Sequence, residues 1–263
     1  MAALPPLGFG TFQLTGDDCR RAVRTALETG YRHVDTAQYY GNEREVGDAL
    51  AAADVDRDDV VVATKLWHDS LDRESVLSGV AASRDRLGVD TVDLVYVHWP
   101  ANTYDPAETL GALSACHEDG LLGAVGLSNF TPALAEEALA HCDAPVTAVQ
   151  VECHPLLPQD ELRAFCDARG LDVAAYHPLV HGRAFGVPEV RAVADEHGVS
   201  EAQVLLAWAR AKGVTPIPKA TGDEHVRDNY ASLGLDLDSE AVARIDGIDD
   251  RLRLGDPEFA PDW

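Results

Sequence analysis

Five side chains in the first hundred residues could together move a proton: Asp35, Tyr39, Tyr40, Lys65 and His98. Each stands where an apolar run gives way to a polar turn. The run from Tyr31 to Val34 ends on Asp35, the two phenols follow, and Glu43 then opens a helical stretch. Ala63-Thr64-Lys65 and Val97-His98 end in the same way. Ionisable groups gathered where strands stop and helices begin mark the active sites of α/β proteins. A free phenol titrates near ~10 and each tenfold change in acidity is worth about 1.4 kcal/mol, so proton donation near neutrality needs about 3–4 kcal/mol of help. A cation ~4 Å away at an effective dielectric of ~20 supplies about that much. Tyr40 beside Lys65, with Asp35 positioning the lysine, therefore reads as a general acid, and His98 as a group that orients a carbonyl oxygen. A purely structural buried ion pair among ordinary aromatics is the plainer reading of the same residues.

The elements that must carry these groups are legible from periodicity. Strand-like runs fall at 8–11, 31–35, 60–65, 91–98, 123–128, 146–151, 171–176 and 214–218. Helical stretches lie between them at 17–29, 43–53, 73–87, 107–119, 132–141, 159–169, 201–212 and 224–233, with extra helices at 190–196 and 239–248. Short strands rich in Val, Leu and Ala belong in a parallel sheet buried on both faces. Strand–helix alternation of that length predicts a single (β/α)8 TIM barrel over residues 1–263. The rival, a doubly wound open sheet, would carry a Gly-rich dinucleotide fingerprint after its first strand; Gly8-Phe9-Gly10 does not continue into one. Barrel sites sit at the C-terminal ends of the strands. Those ends carry Asp35 and Tyr40, Lys65, His98, Ser128-Asn129, Gln150, Tyr176 and Lys219. Alternation sets Lys65 in line with Ala63 and Val61, and His98 with Tyr96 and Leu94, so both should point into the barrel mouth.

Composition narrows the class. The chain of 263 residues has no Pro/Gly/Ser linker and no long uncharged apolar stretch, and its N-terminus lacks a basic leader. Five scattered cysteines (Cys19, Cys116, Cys142, Cys153, Cys166) without a CxxC pair read as reduced thiols of a cytoplasmic protein. A net charge of −24 spread over every helix argues against a nucleic-acid partner. Only Lys65, Lys212 and Lys219 are lysines, against eighteen arginines. An evenly acidic, lysine-poor surface is the composition of a protein adapted to molar salt, so a halophilic source is expected. Where the surface has been cleared of lysine, the strand-end lysines Lys65 and Lys219 need a reason; Lys212 looks like a solvated helix end.

The blocks in order resemble the aldo-keto reductases. Residues 30–47 follow that family's first signature, including Gly30-Tyr31-Arg32-His33-Val34-Asp35-Thr36-Ala37, Glu43 and Gly47. Ala63-Thr64-Lys65-Leu66-Trp67, Val97-His98-Trp99-Pro100, Ser128-Asn129-Phe130, Gln150-Val151-Glu152, Tyr176-His177-Pro178-Leu179 and Ile217-Pro218-Lys219 are similar to its later blocks. The likeness covers nearly the whole chain and looks most like prokaryotic aldehyde and 2,5-diketogluconate reductase members. It implies NADP(H)-dependent carbonyl reduction by a tetrad of Asp35, Tyr40, Lys65 and His98. Ser128, Asn129 and Gln150 would hold the nicotinamide carboxamide and Tyr176 would stack on its ring. His177 and Leu179 fall on the pyrophosphate segment; Lys219, Ala220, Thr221 and His225 on the 2′-phosphate segment; Asn229 near the adenine.

Three departures qualify the likeness. The family's arginine six residues after the lysine is His225 here, and an arginine fork suits a phosphate where a neutral imidazole does not. A modest NADPH preference, or use of both cofactors, follows. The serine after the stacking tyrosine is His177. The N-terminal hairpin that would plug the barrel floor is missing or cut to residues 1–7, leaving the floor exposed or covered by Leu4-Pro5-Pro6-Leu7. Phe12, Tyr39, Trp67 and Trp99 would line a compact aromatic pocket, and the tail 256–263 would fold over one edge of the mouth. The substrate is then a small carbonyl compound, and a monomer without membrane or metal is expected.

Two other classes compete. A metal-dependent hydrolase could draw on His33, Asp35, His98, His154 and His177, but would leave Tyr40, Ser128-Asn129 and Lys219 without a role. A non-catalytic nucleotide-binding barrel is the second; the intact quartet of acid, phenol, amine and imidazole argues for turnover.

The acidic surface yields a test of its own. Thermal unfolding in multimolar KCl should occur at a higher temperature than in dilute buffer; an equal or lower Tm in salt refutes salt adaptation.

Overall fold

A computed structural model describes residues 3–263, and residues 1 and 2 of the expected N-terminal cover lie outside it. Eight parallel strands form one sheet in the order of the chain. They are β1 (Phe9–Gly10), β2 (His33–Asp35), β3 (Val61–Leu66), β4 (Val92–Val97), β5 (Leu122–Ser128), β6 (Val146–Glu152), β7 (Asp172–Tyr176) and β8 (Val214–Pro216). The sheet closes on itself through Gly8 N to the Pro216 carbonyl (2.9 Å) and Gly10 N to the Pro218 carbonyl (3.0 Å). This is the (β/α)8 barrel that the alternation predicts. The helices are α1 (Gly16–Thr29), α2 (Glu43–Ala52), α3 (Arg73–Leu87), α4 (Pro106–Glu118), α5 (Pro132–His141), α6 (Asp160–Asp167), α7 (Pro188–His197), α8 (Glu201–Ala211), α9 (Asp223–Ala231) and α10 (Ser239–Asp246). Helices α7 and α10 are the two extra ones.

Helix starts follow capping chemistry. Asp72, Asp105 and Thr131 each accept a hydrogen bond from a backbone N–H in the first turn, and Pro106 and Pro132 occupy the first helical position. The segment 31–35 is shorter as a strand than its apolar run, because Tyr31 leaves the sheet. Its buried ring packs edge-on against Phe9 at 5.6 Å, and its hydroxyl donates to the Val226 carbonyl at 3.1 Å.

The barrel interior is a small cluster of its own: Leu4, Ala63, Leu94, Tyr96, Ala124, Ala148, Ala174 and Ile217. The Tyr96 ring fills so much of it that a Cβ at position 126 would fall 2.3 Å from Tyr96 Cδ1, so β5 carries Gly126 there. Gly47 has the same logic outside the barrel, since a Cβ there would meet the Leu87 carbonyl at 2.5 Å where α2 crosses α3. The floor is covered. Leu4 belongs to the interior cluster, its N–H donates to Asp172 Oδ2 at 2.7 Å, and Thr215 Oγ1 reaches the Pro5 carbonyl at 3.2 Å. A short segment thus replaces a hairpin. Lys212 is not a solvated end either; it caps α8 and pairs with Asp246 at 2.7 Å.

His33 sits inside this barrel, fully buried, with neither ring nitrogen hydrogen-bonded. Burial pushes its pKa down from 6.5 to about 4, with Lys65 adding to and Asp35 opposing the shift. The unfolded chain therefore binds a proton that the folded chain refuses between those values, and stability is lost as pH falls through them. Replacing His33→Gln should flatten that loss. Urea unfolding at pH 7 and pH 4 should show the parent losing about 3 kcal/mol more than the variant, and equal losses would show that His33 does not control the acid limb.

Candidate active site

The C-terminal ends of the strands open into a cavity of about 510 Å³. Asp35 stands at the end of β2 and Lys65 near the end of β3, on the inward face that alternation assigns to them. Lys65 is fully buried and does not line the cavity. Its ammonium donates to Asp35 Oδ1 at 2.5 Å, to the Thr36 carbonyl at 2.8 Å and to the Tyr40 hydroxyl at 3.4 Å. Tyr40 comes from a short 3₁₀ turn, Gln38–Tyr40, ended by Gly41 in the left-handed region (φ 66°). His98 follows β4, its ring 5.9 Å from that of Tyr40. The structure thus brings Asp35, Tyr40, Lys65 and His98 to one end of one cavity.

Neighbours fix the geometry of the turn that carries the phenol. Asn42 is buried, donates to the Thr11 and Leu14 carbonyls at 2.9 Å each, and accepts from Thr36 Oγ1 at 2.7 Å. Glu43 is buried behind it, taking Thr64 Oγ1 at 2.6 Å and Arg86 at 2.6 Å. These contacts tie the loop after β1 and the start of α2 to the strand that bears Lys65.

The electrostatics correct one expectation. Lys65 does not make the phenol acidic in the free protein. Desolvation, and then the Asp35 carboxylate, hold Tyr40 well above the ordinary value of 10. The ammonium gives its shortest contact to Asp35, so the two charges largely cancel at the phenol. Burial lowers the Lys65 pKa from its usual 10.5 while Asp35 pulls it back up. The His98 imidazole is held neutral: burial, then the Lys65 cation, push it well below 6.5. Its Nδ1 is buried without a partner, so Nε2 is the nitrogen able to serve a ligand. Tyr40 is accordingly a protonated phenol whose anion, once formed, finds a cation 3.4 Å away.

The residues matched to a cofactor fall in two groups. Asn129, Gln150, Tyr176, His177, Leu179 and Lys219 line the cavity. Ser128, Ala220, Thr221, His225 and Asn229 do not: Ser128, Ala220 and Asn229 are buried, while Thr221 and His225 are exposed around the start of α9. Asn129, at φ 64°, donates to the His98 carbonyl at 2.9 Å and to Ser128 Oγ at 3.1 Å, and accepts from the Tyr176 hydroxyl at 2.7 Å. That last bond fixes the Tyr176 ring on the cavity wall. Gln150 Nε2 donates to Asp35 Oδ2 at 2.8 Å, so part of the amide is engaged and its carbonyl is left for a ligand. His177 meets His181 edge-on at 4.3 Å and is pushed down to about 4 by burial and then by His181.

Phe12, Tyr39, Trp67 and Trp99 all line the cavity. Tyr39 stacks on Trp67 (4.0 Å, 15°), and Trp67 meets His98 edge-on at 5.0 Å. The tail folds over the mouth as the sequence leads one to expect, with Phe259 4.2 Å from the His68 ring and 5.5 Å from that of Trp99. The metal reading gathers no site. His33 is inside the barrel, His154 pairs with Glu152 at 2.8 Å, and among the described residues no three His, Cys, Asp or Glu side chains are grouped to hold an ion.

Several contacts were missed from sequence. The alternation Gln150-Val151-Glu152 puts Gln150 and Glu152 on the inner face and could have flagged both. Phe259 lies in an irregular tail with no periodicity to reveal it. Arg21 of α1 is hidden in an ordinary helix, yet its guanidinium donates to the Thr221 carbonyl at 3.1 Å while Asp18 and Asp223 hold it at 2.7 and 2.9 Å.

Comparison with known proteins agrees with this geometry. The model of the aldo/keto reductase family matches residues 6–250. An aldo-keto reductase of Mycobacterium sp. (strain JLS) is 37% identical over 260 residues, covering 97% of this chain and 94% of its own. A methylglyoxal reductase (DkgB) of Escherichia coli O157:H7 is 36% identical, with 99% of each chain covered. Among solved structures, one provisionally named 2,5-diketo-D-gluconic acid reductase B superposes with a TM-score of 0.95 at 34% identity, covering 99% of this chain and 94% of its own. The Bombyx mori aldo-keto reductase in complex with NADP gives 0.85 at 31% identity, covering 92% and 88%.

The buried pair makes its own prediction. In Asp35→Ala the Lys65 ammonium is left without a counter-ion, which should destabilise the fold by about 3–5 kcal/mol. Adding Lys65→Met should recover most of that. Denaturant midpoints of the two variants decide it: a double variant no more stable than the single one would deny the pairing.

Proposed function

The chain belongs to the aldo/keto reductase family, and from that premise we propose that it reduces small aldehydes and ketones to alcohols with NADP(H), accepting NAD(H) as well. The observation that carries this reading is the protonated phenol of Tyr40 sharing one cavity with the Lys65–Asp35 pair and a neutral His98. The donor set suits a nicotinamide: the Asn129 and Gln150 amides offer carboxamide partners, and the fixed ring of Tyr176 offers a flat face. When bound, a dihydronicotinamide would supply hydride to the carbonyl carbon.

The chain's own residues do the rest. His98, neutral and with Nε2 free, would donate a hydrogen bond to the carbonyl oxygen and set its direction. The Tyr40 hydroxyl would give that oxygen its proton, leaving a phenolate. Lys65, whose ammonium stands 3.4 Å from the Tyr40 oxygen, would donate a hydrogen bond to the phenolate as it forms. Asp35 would keep the lysine charged and aimed, and Gln150 would hold the second oxygen of Asp35.

Cofactor choice rests on the outer group. Among the described residues Lys219 is the one lysine or arginine that lines the cavity, His225 stands where a fork would bind, and the Arg21 guanidinium is already shared by two carboxylates. These support a modest preference for NADPH. We also read the molecule as a single-domain monomer working in a reducing, salt-rich cytoplasm.

Absorbance at 340 nm with small aldehydes tests the proposal. Turnover should appear with NADPH and with NADH, their kcat/KM values within about a hundredfold of each other. Tyr40→Phe should lower kcat at least a hundredfold with little change in cofactor affinity. No turnover, or a Tyr40→Phe enzyme as fast as its parent, rejects the reading, and a thousandfold preference for NADPH rejects its cofactor part.

A further inference from the structure

His98 can donate to a carbonyl oxygen only when its single proton sits on Nε2. A neutral imidazole carries that proton on either ring nitrogen, and the hydrogen bond made by the other nitrogen decides which. With Nε2 protonated, Nδ1 is a bare acceptor. It is buried and has no hydrogen-bond partner among the described residues. A buried acceptor without a donor is costly, so the tautomer that the reaction needs calls for an N–H or O–H aimed at Nδ1.

A second imidazole has the complementary need. His68, two residues past β3, is 5% exposed and does not line the cavity. Asn102 Nδ2 lies 2.8 Å from His68 Nδ1 and 2.5 Å from Asp69 Oδ1. The Asp69 contact fixes which way the amide faces, because the Asn102 oxygen turned to a carboxylate at that distance would set two acceptors against each other. The amide nitrogen therefore donates to both, one proton each. His68 Nδ1 is then the acceptor, and the His68 proton is carried on Nε2. Asp69 Oδ1 also lies 3.1 Å from Nδ1, and would draw the proton there if the amide were removed. His68 Nε2–H is thus a donor that is buried and, among the described residues, without an acceptor. The rings of Trp67 and Phe259, each 4.2 Å from that of His68, cover it.

The spare donor and the spare acceptor belong to neighbouring segments. His98 N–H bonds the Leu66 carbonyl at 3.0 Å and Thr103 N–H the His68 carbonyl at 3.1 Å, so the chain after β3 and the chain after β4 run side by side. Both imidazoles pack on one indole, that of Trp67, which His98 meets edge-on at 5.0 Å. His68 is near enough to add to the lowering of the His98 pKa, after burial and Lys65. We propose that His68 is a positioning residue for the reaction: through one ordered water its Nε2–H supplies His98 Nδ1, which keeps the His98 proton on Nε2 and the ring turned toward the substrate oxygen. This rests on His98 being the donor to the carbonyl. A water held by two imidazole nitrogens has the minimum of polar partners that a buried site requires. The chain of donors runs in one direction, from the Asn102 amide through His68, the water and His98 to the carbonyl oxygen, and bonds so aligned strengthen one another.

Nitrogen NMR of the imidazole rings reads the tautomers directly, since protonated and bare ring nitrogens resonate far apart. In the parent, His68 and His98 should both carry the proton on Nε2. In His68→Phe, which keeps a ring but no donor, the His98 nitrogens should move toward those of a tautomer mixture. The kcat/KM for propanal should fall about five- to tenfold, the worth of roughly one hydrogen bond, with NADPH affinity unchanged. His68→Gln, whose amide again offers an N–H, should restore the His98 signals and most of the activity. In Asn102→Ala the His68 proton should shift to Nδ1 toward Asp69, and His98 should respond as it does in His68→Phe. A parent whose His98 carries its proton on Nδ1 overturns the proposal, as does an unchanged His98 tautomer in His68→Phe, whatever the activity. Should His68→Phe fail to fold, Asn102→Ala decides, and an unaffected His98 there overturns the proposal equally. A parent that reduces no aldehyde fails the catalytic reading instead, and the ring spectra then judge the relay by themselves.

Discussion

One ion pair governs the rest of the molecule. Lys65 and Asp35 are both buried, 2.5 Å apart, inside a barrel whose remaining interior is almost entirely alanine, leucine, isoleucine and a single tyrosine ring. Taking two charges out of water is expensive, and their mutual attraction offsets it only with good geometry and further hydrogen bonds. The structure provides both. The Thr36 carbonyl takes a second lysine proton and the Gln150 amide takes the second carboxylate oxygen. Three strands thus hold one pair, and their register cannot slip without stranding a charge. Stability alone does not call for this arrangement, since a well-packed apolar pair would fill the same volume. A group that must stabilise an anion appearing beside it does.

Burial, and then the carboxylate of the pair, hold the phenol protonated. A cation alone would pull Tyr40 toward ionisation; a cation whose charge is cancelled by a nearer carboxylate does not. The cost of forming a phenolate is then met only when a proton leaves for another oxygen, while the ammonium stays in place. His98 is likewise kept neutral and able to donate, by burial first and then by the lysine. Burial first, and the charge pair second, keep both neighbours neutral, and both states suit the delivery of a proton to a carbonyl.

Most of this was legible in the chain. Strand alternation aims Lys65, Gln150 and Glu152 inward, and the apolar runs locate all eight strands because parallel strands buried on both faces cannot disguise their composition. Asp35, Tyr40, Lys65 and His98 stood out as ionisable groups at strand ends. What escaped has a physical reason in each case. The Gln150–Asp35 bond joins residues 115 positions apart, a distance at which no local pattern carries information. The effect of Lys65 on Tyr40 was misjudged because a pairwise Coulomb sum between two residues omits the third charge that sits closer to one of them. Phe259 and Trp263 lie in a segment with no period. Leu4 replaces a hairpin by entering the barrel floor, which a run of Leu-Pro-Pro-Leu permits but does not announce.

The distribution of charge then separates two kinds of recognition within one cavity. At its base the working charges are buried and touch their partners directly, so dissolved ions reach them poorly. At its outer end Lys219 is exposed, 3.4 Å from Thr221 Oγ1, on a surface dominated by carboxylates. In molar salt the screening length is about 3 Å, and an exposed lysine there attracts a phosphate only by contact. The buried contacts at the base are therefore the ones that salt leaves intact. Attraction of an anion by the exposed Lys219 at the rim is the interaction it weakens, and residue 225, where the resemblance leads one to expect an arginine, is a histidine.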